Sequence, residues 1–111
     1  MNSVVIKSAN PDLINEAVTS YVSVLKSKHP EIERIIWFGS WINGIPTPGS
    51  DVDLCLILSY SDKNMRDRIS EYLPIGFPVG IELFPYTKAE FNELALKSIG
   101  WYNAIISGKE L

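Results

Sequence analysis

Residues 39–58, GSWINGIPTPGSDVDLCLIL, contain the motif on which the expected fold and function of this chain depend. Gly39 and Ser40 are followed, after ten residues, by an Asp-x-Asp motif formed by Asp51 and Asp53. The aspartates open a run that is otherwise apolar, where a carboxylate is costly to bury unless it is paired, hydrogen-bonded or bound to a metal. The stretch therefore predicts a turn that leads into a buried strand whose two carboxylates need a cation.

The sequence on both sides of this motif predicts a small α/β domain. Short runs of branched and aromatic residues predict strands, and apolar residues at helical spacing predict helices. Asn10 with Pro11 is a favourable helix start, and Thr87 with Glu90 has the spacing of a capping box. The predicted strands cover residues 32–38, 51–58 and 78–84, and Gly80 lies inside the third. The predicted helices cover residues 11–28, residues 65–73, a segment that begins at Thr87 and part of the tail 98–111. The end of the tail is expected to fray.

The arrangement of these segments favours a mixed sheet. Only a short loop and a turn, residues 39–50, separate the first two strands, whereas a parallel pair is usually joined by a crossover helix. The strand over 51–58 is apolar on both faces beyond its aspartates, which is typical of a central strand. We expect an α/β (α+β) fold in which three or four strands form a small mixed sheet with helices packed on it.

Length and composition indicate a single globular domain over residues 1–111. Hydrophobic residues make up 46% and charged residues 21% of the chain, which argues against disorder. The net charge is −3 and the basic residues are scattered, so nucleic-acid binding through a basic surface is not expected. No apolar stretch approaches the ~18 residues that span a bilayer, and no secretory signal is apparent, so a cytoplasmic protein is expected. Cys55, the single cysteine, is expected to be a buried hydrophobic residue.

The two aspartates have the spacing of a divalent-cation site. Side chains at positions i and i+2 of a strand point to the same face, about 6.6 Å apart at the backbone. Carboxylate oxygens suit Mg²⁺ or Mn²⁺, and no cluster of histidine and cysteine competes for the assignment. In the alternative interpretation, Ser50 and Asp51 cap a turn and Asp53 pairs with a lysine, which is the more frequent situation for an isolated Asp-x-Asp.

Two further features add to the motif. Gly39 allows a phosphate to approach the backbone closely, and a helical turn after it would supply N–H groups beside the Ser40 hydroxyl. Taken alone, Gly-Ser after a strand is usually only a turn. Glu82 alternates with Ile81 and Leu83 on a strand expected to be interior, so it points away from the face that these two bury. Glu82 either completes a site of three carboxylates or is an edge-strand glutamate that faces solvent.

The stretch from Gly39 to Leu58 resembles the signature of the DNA polymerase β-like nucleotidyltransferases: Gly-Ser, ten residues, Asp-x-Asp and a continuing hydrophobic strand. The short chain and the segment IELFPYT, residues 81–87, look like the minimal nucleotidyltransferases of prokaryotes. The antitoxin type of these proteins is often encoded beside a helical toxin partner of the HEPN type. The resemblance covers roughly residues 31–90 and is specific for the superfamily rather than for a substrate.

The resemblance implies a role for each matching residue. Gly39 and Ser40 would hold the phosphates of a nucleoside triphosphate, and Asp51 and Asp53 would ligate two Mg²⁺ ions. Glu82 falls at the third carboxylate, commonly an aspartate, which ligates the catalytic metal and helps to deprotonate the attacking hydroxyl. The implied activity is transfer of AMP from ATP to a hydroxyl of a HEPN-type protein, in a homo- or hetero-oligomer. The alternative is a weak or inactive domain that neutralises its partner by occlusion.

The loop between the turn and the aspartates is unusually apolar. Its apolar residues are Trp41, Ile42, Ile45, Pro46 and Pro48. They either pack against the first helix or form a lip for a partner protein, because exposed apolar patches often mark interaction surfaces. Trp101 and Ile105 in the tail pose the same choice, and core packing is expected there.

Overall fold

The computed structural model describes residues 10–47 and 49–111. The elements in chain order are α1 (Pro11–Lys28), β1 (Ile32–Phe38), α2 (Ser40–Asn43), β2 (Val52–Leu58), α3 (Met65–Tyr72), β3 (Ile81–Thr87), α4 (Lys88–Lys97), α5 (Ile99–Ile106) and β4 (Lys109–Glu110). Within the described residues, every helix is too short or too polar to span a bilayer. The expectations for the N-terminal residues 1–9 and for Pro48 lie outside the described residues.

Side-chain caps set the beginning of the two longest helices. The Asn10 carboxamide oxygen accepts from the Asp12 N–H at 2.9 Å, and Pro11 follows as the first helical residue. Thr87 and Glu90 form the predicted capping box at the start of α4, since each side chain accepts from the other residue's backbone N–H. These local signals explain why both helices begin where the sequence predicts.

The four strands form one mixed sheet in the order β3-β2-β1-β4. β1 pairs antiparallel with β2 and β4, whereas β2 pairs in parallel with β3. The tight connection through α2 suits the antiparallel pair, and the crossover through α3 provides the length that the parallel pair requires. In β2 every residue except Asp53 is buried, which confirms the prediction of a central strand.

Helices cover both faces of the sheet and create two cores. The core under α1 contains Ile14, Val18, Tyr21, Val22, Leu25, Ile32, Ile35, Trp37, Val52, Leu54, Leu56, Leu58, Tyr72 and Leu83. The core under α4 and α5 contains Ile36, Phe38, Cys55, Ile57, Phe91 and Ile105. Burial raises the pKa of the Cys55 thiol to about 12, so Cys55 is a hydrophobic core residue, as predicted.

The third strand differs from its predicted range, 78–84. β3 begins at Ile81 and continues beyond the predicted end, so Gly80 precedes the strand instead of lying inside it. Pro78 has no N–H to donate to a ladder, and pairing with β2 starts at the Gly80 carbonyl, which accepts from the Val52 N–H at 2.9 Å. β3 also lies at the edge of the sheet, which corrects the expectation of an interior strand.

The C-terminal tail is held by the sheet, so the prediction of a frayed end is wrong. Lys109 in β4 lies opposite Trp37 in β1, and Arg34 donates two hydrogen bonds, of 3.0 and 2.9 Å, to the Glu110 carboxylate. A side chain at Gly108 would collide with the Trp37 carbonyl, so the chain passes very close to β1 there. The outer edge of β1 offers unpaired backbone groups, and the two residues of β4 form hydrogen bonds with some of them.

Candidate active site

The Gly39–Ser40 turn lies directly against Asp53. Asp53 is opposite Phe38, the last residue of β1, and Gly39 follows with a φ of 90° and a ψ of −158°. L side chains rarely adopt this conformation, and a side chain at Gly39 would also overlap the Asp53 carboxylate. Glycine is therefore required here both by the backbone and by the approach of the carboxylate.

The register of β2 and β3 places carboxylates in neighbouring positions. Asp53 lies opposite Glu82 in the parallel pair. Asp51 lies against Gly80, where an added side chain would overlap its carboxylate. Because alternate residues of a strand share a face, Asp51, Asp53 and Glu82 all lie on the face of the sheet that carries Phe38. The structure thus groups the three acidic residues that the sequence singles out.

Asp53 and Glu82 line a cavity of about 540 Å³. Gly39 and Ser40 line the same cavity, and Asp51 does not. The other lining residues are Phe38, Asn43, Gly44, Phe84, Trp101, Ala104 and Ser107. A volume of this size falls within the roughly 300–1,000 Å³ that is usual for small-molecule sites.

The acidic residues give this cavity an uncompensated negative charge. Burial, followed by the charges of Glu82 and Asp51, raises the pKa of Asp53 to about 6. Among residues 10–47 and 49–111, no lysine or arginine forms an ion pair with any of the three carboxylates. The structure therefore gives no support to the alternative in which a lysine neutralises Asp53, and a bound cation would relieve the repulsion.

The chemistry of this donor set fits Mg²⁺, which prefers carboxylate oxygens as protein ligands. Oxygens of Asp51, Asp53 and Glu82 do not all lie within 4.8 Å of one another in this structure. The three carboxylates must therefore come closer together before all three can share an ion. Their roles as ligands stay a prediction.

A second group of potential ligand atoms lies beyond the opposite end of β1. His29, Glu31 and Glu71 bring one atom each to within 4.8 Å of the others. Each acidic member already has a protein partner: the Tyr72 hydroxyl donates to Glu31 at 2.6 Å, and the Lys63 ammonium donates to Glu71 at 2.9 Å. His29 lies 3.4 Å from Glu31. These contacts account for the cluster without a metal.

Sequence reasoning missed the residues that close the cavity on the side of α5. Phe84 is two positions beyond Glu82 on the same strand, so strand periodicity alone could have identified it. Trp101 and Ser107 come from α5 and the residue after it, and only tertiary packing brings them to the site. The Asn43 carboxamide, at the end of α2, links this side of the cavity to the turn by donating to the carbonyl and the hydroxyl of Ser107 at 3.1 and 3.0 Å.

Part of the apolar loop before Asp51 packs on the core, and part of it is exposed. Trp41 and Ile42 pack against the core under α1, and the Trp41 indole donates to the Ser50 carbonyl at 2.9 Å. Ile45, by contrast, is 90% exposed. In the tail, Ile105 is fully buried and Trp101 packs on the core under α5, which confirms core packing there.

Comparison with known proteins relates the chain to nucleotide-transferring enzymes. Residues 2–76 match the family model described as "Poly(A) RNA polymerase, mitochondrial-like, central palm domain". The match includes the Gly-Ser turn and the Asp-x-Asp motif and ends before Glu82. The crystal structure of a "putative nucleotidyltransferase" from Sulfolobus solfataricus is similar in fold, with a TM-score of 0.60 and 20% identity over 84% of this chain and 82% of that one. No curated protein sequence gives a significant match. The predicted nucleotidyltransferase fold is thereby confirmed.

Proposed function

Because the chain belongs to the family of poly(A) RNA polymerase, mitochondrial-like, central palm domains and has a nucleotidyltransferase fold, we propose that it is a Mg²⁺-dependent nucleotidyltransferase. We infer that it transfers AMP from ATP to a hydroxyl of a protein partner. The observation that carries this proposal is the meeting of Asp53, Glu82 and the Gly39–Ser40 turn around one cavity.

The proposal assigns separate tasks to the turn and to the carboxylates. Gly39 leaves the backbone open to a phosphate, and Ser40 offers a hydroxyl donor in the same cavity. Asp51, Asp53 and Glu82 would hold two Mg²⁺ ions, which neutralise charge on the phosphates and activate the acceptor oxygen when bound. The pKa of Asp53 is raised first by burial and then by the charges of Glu82 and Asp51, and a bound cation would offset both effects, which supports this assignment.

The transfer itself needs an acceptor hydroxyl in line with the bond that breaks. Its oxygen forms a bond to the α-phosphorus of ATP, the bond from that phosphorus to the bridging oxygen breaks, and pyrophosphate leaves. Glu82 is exposed at the cavity, so its carboxylate is accessible to help take up the hydroxyl proton. Glutamate is one methylene longer than the aspartate common at this position, so activity depends on how well its oxygens are positioned.

A protein acceptor suits the charge of this domain. The net charge of −3 and the scattered basic residues do not favour an RNA strand, whose binding relies on neutralised phosphates. The exposed Ile45 lies in the loop between Ser40 and Asp51, where an apolar contact would bring a partner to the cavity. We propose a HEPN-type helical protein, encoded beside this chain, as the acceptor and as the toxin of a toxin–antitoxin pair.

Labelled ATP provides the test of this proposal. The wild-type chain, Mg²⁺ and the neighbouring HEPN-type protein should together give a labelled partner, and Asp53→Ala should abolish the label. Glu93→Gln, which removes an exposed carboxylate on α4, is the matched control and should label the partner as the wild type does. If the wild type transfers no label, or if Asp53→Ala transfers as much as the wild type, the catalytic proposal is wrong.

The second candidate function is neutralisation by occlusion. It is favoured by the exposure of Glu82 on an edge strand and by the separation of the three carboxylates in this structure. In that case an Asp51→Asn/Asp53→Asn double variant would still inhibit the toxic activity of the partner. Loss of inhibition in a double variant that still folds and still binds the partner would leave the catalytic function as the explanation.

A further inference from the structure

One side of the cavity is built from three aromatic rings, Phe38, Phe84 and Trp101, which we call the aromatic wall. Trp101 meets Phe38 and Phe84 edge to face, with ring centroids 5.5 and 5.1 Å apart and interplanar angles of 81° and 70°. Phe84 and Glu82 are alternate residues on one face of β3, so the wall begins beside the carboxylates. Phe84 and Trp101 are partly exposed, so aromatic surface faces the cavity.

The aromatic wall is held rigidly by the rest of the fold. The Trp101 indole N–H donates to the Tyr86 hydroxyl at 3.0 Å, so its one polar group is already satisfied. Ile105 is fully buried one turn further along α5, and Gly108 lies against Trp37 and Phe38 at the end of this segment. The part of Trp101 left for a ligand is therefore apolar, planar and fixed in position before anything binds.

We propose that the aromatic wall, with Trp101 as its main contact, binds the base of the donor nucleotide. This inference rests on the proposed function, in which the Gly39–Ser40 turn holds the triphosphate end and the carboxylates would hold the Mg²⁺ ions that neutralise its charge. A nucleotide anchored there has its planar base to place in the remaining cavity, and the wall is the aromatic surface against which the face of the base can pack. Aromatic side chains stack on any base, because every base presents a π-face.

Most of the surface proposed to bind the base lies outside the family match. Residues 2–76 carry the Gly-Ser and Asp-x-Asp motifs, whereas Phe84 and Trp101 belong to β3 and α5. The indole N–H of Trp101 already donates to the Tyr86 hydroxyl, so Trp101 has no hydrogen-bonding group left for a base. A site of this kind should prefer ATP over a base-free triphosphate and should discriminate weakly between purine bases.

Binding measurements with two probes test the inference on the intact chain. The probes are ATP and inorganic triphosphate, each with Mg²⁺, followed by calorimetry and by tryptophan fluorescence. In Trp101→Leu the affinity for ATP should fall by about tenfold to a hundredfold, the effect of losing one base–aromatic stack, and the affinity for triphosphate should not change. In Trp101→Phe, which keeps a ring, ATP should still bind, and the fluorescence change that ATP causes beyond the change caused by triphosphate should be absent, because Trp37 and Trp41 remain in both proteins.

The outcomes separate this inference from the function on which it rests. If ATP binds Trp101→Leu as tightly as the wild type, or if Trp101→Phe keeps the full difference in fluorescence between ATP and triphosphate, the base lies elsewhere and the nucleotidyltransferase proposal still stands. If both probes lose the same affinity in Trp101→Leu, the residue acts on the triphosphate end, and the inference is also overturned. If the wild type binds neither probe, the proposed function and the inference fail together. Should Trp101→Leu not fold, the fluorescence of Trp101→Phe decides.

Discussion

Asp53 on β2 and Glu82 on β3 are direct neighbours across a parallel strand pair. Both side chains line one cavity, and Asp51 adds its charge from two positions earlier in the chain. Carboxylates on directly opposite strand positions repel one another, so the folded protein favours a proton or a cation at the site.

Asp53→Asn should stabilise the metal-free protein at neutral pH. The pKa of Asp53 is about 6 in the folded state, against an ordinary value of 3.8, so the folded state holds the proton more tightly than the unfolded state. The stability of the wild type therefore falls as the pH rises through this interval. After allowance for solvent screening, we expect Asp53→Asn to gain about 1 kcal/mol near pH 7.5 and little near pH 4.

Urea denaturation with a chelator present measures this difference. Glu93→Gln, which changes an exposed carboxylate outside the cavity, should follow the wild type at both pH values. An Asp53→Asn variant that is less stable than the wild type near pH 7.5 would contradict the prediction.

Mg²⁺ should stabilise the wild-type protein against heat. A ligand that binds only the folded state contributes about 2.7 kcal/mol at a hundred times its Kd, which raises the midpoint of unfolding by several degrees. Asp51→Asn/Asp53→Asn should lose this rise, and Glu71→Gln, which alters the other cluster of ligand atoms, should keep it. Scanning calorimetry in MgCl₂ and in NaCl of equal ionic strength provides the measurement. A rise that persists in the double variant would place the ion elsewhere.

Gly39→Ala should be more harmful than a comparable glycine substitution away from the site. Gly39 and Gly76 both have positive φ, 90° and 76°, so alanine is strained at either position. Only at Gly39 does the new side chain also meet the Asp53 carboxylate, whereas nothing lies within 4 Å at Gly76. We expect losses of about 1 kcal/mol for Gly76→Ala and about 3 kcal/mol for Gly39→Ala.

The same pair of variants should differ in metal binding. Because Gly39→Ala displaces the Asp53 carboxylate, it should also weaken the response to Mg²⁺, and Gly76→Ala should leave that response intact. Equal losses of stability in the two variants, measured by urea denaturation, would mean that the approach of Asp53 to the turn has no energetic consequence.

Arg68 links α3 to β3 and α4, and its removal should destabilise the domain. This 6% exposed residue donates to the Lys63 and Pro85 carbonyls at 2.8 and 3.1 Å and to the Glu90 carboxylate at 2.6 Å. Arg68→Met keeps much of the volume but leaves these acceptors without their donor, so we expect a loss of about 3 kcal/mol.

A double-mutant cycle with Glu90→Gln isolates the ion pair. The hydrogen bond from Arg68 lowers the pKa of Glu90 below its ordinary value of 4.5, so the coupling is complete above that value. It should be lost as the pH falls further and the carboxylate is protonated in the folded state. A coupling energy that does not change between neutral and acidic pH would show that the pair is held by packing rather than by charge.

The strands and helices could be predicted largely from local sequence, because their signals are local. The predicted strand 32–38 coincides with β1, and the caps at Asn10 and Thr87 start their helices as expected. Errors occurred where partners are distant in sequence. β3 starts late because its first contact is with Val52, and residues 109–110 form a strand because β1 has a free edge.

For the candidate site, spacing along one strand identified Asp51 and Asp53, and alternation identified the orientation of Glu82. These are properties of an extended backbone, whose side chains alternate whatever the strand packs against. Sequence spacing could not show that Glu82 lies opposite Asp53, nor that Trp101 and Ser107 close the cavity. Those contacts join residues far apart in the chain, and they depend on register and on the packing of α5.

The sequence by itself determined the chemical groups of this protein: a glycine-serine turn, two carboxylates on one strand face and a third on another strand. Only the tertiary structure decided that the turn, Asp53 and Glu82 share one cavity, that the pKa of Asp53 is raised and that an aromatic wall lies beside these two carboxylates. The physical reason is that burial, charge coupling and cavity shape arise from pairs of residues distant in the chain, whereas side-chain direction within a strand is set by the residue's own backbone.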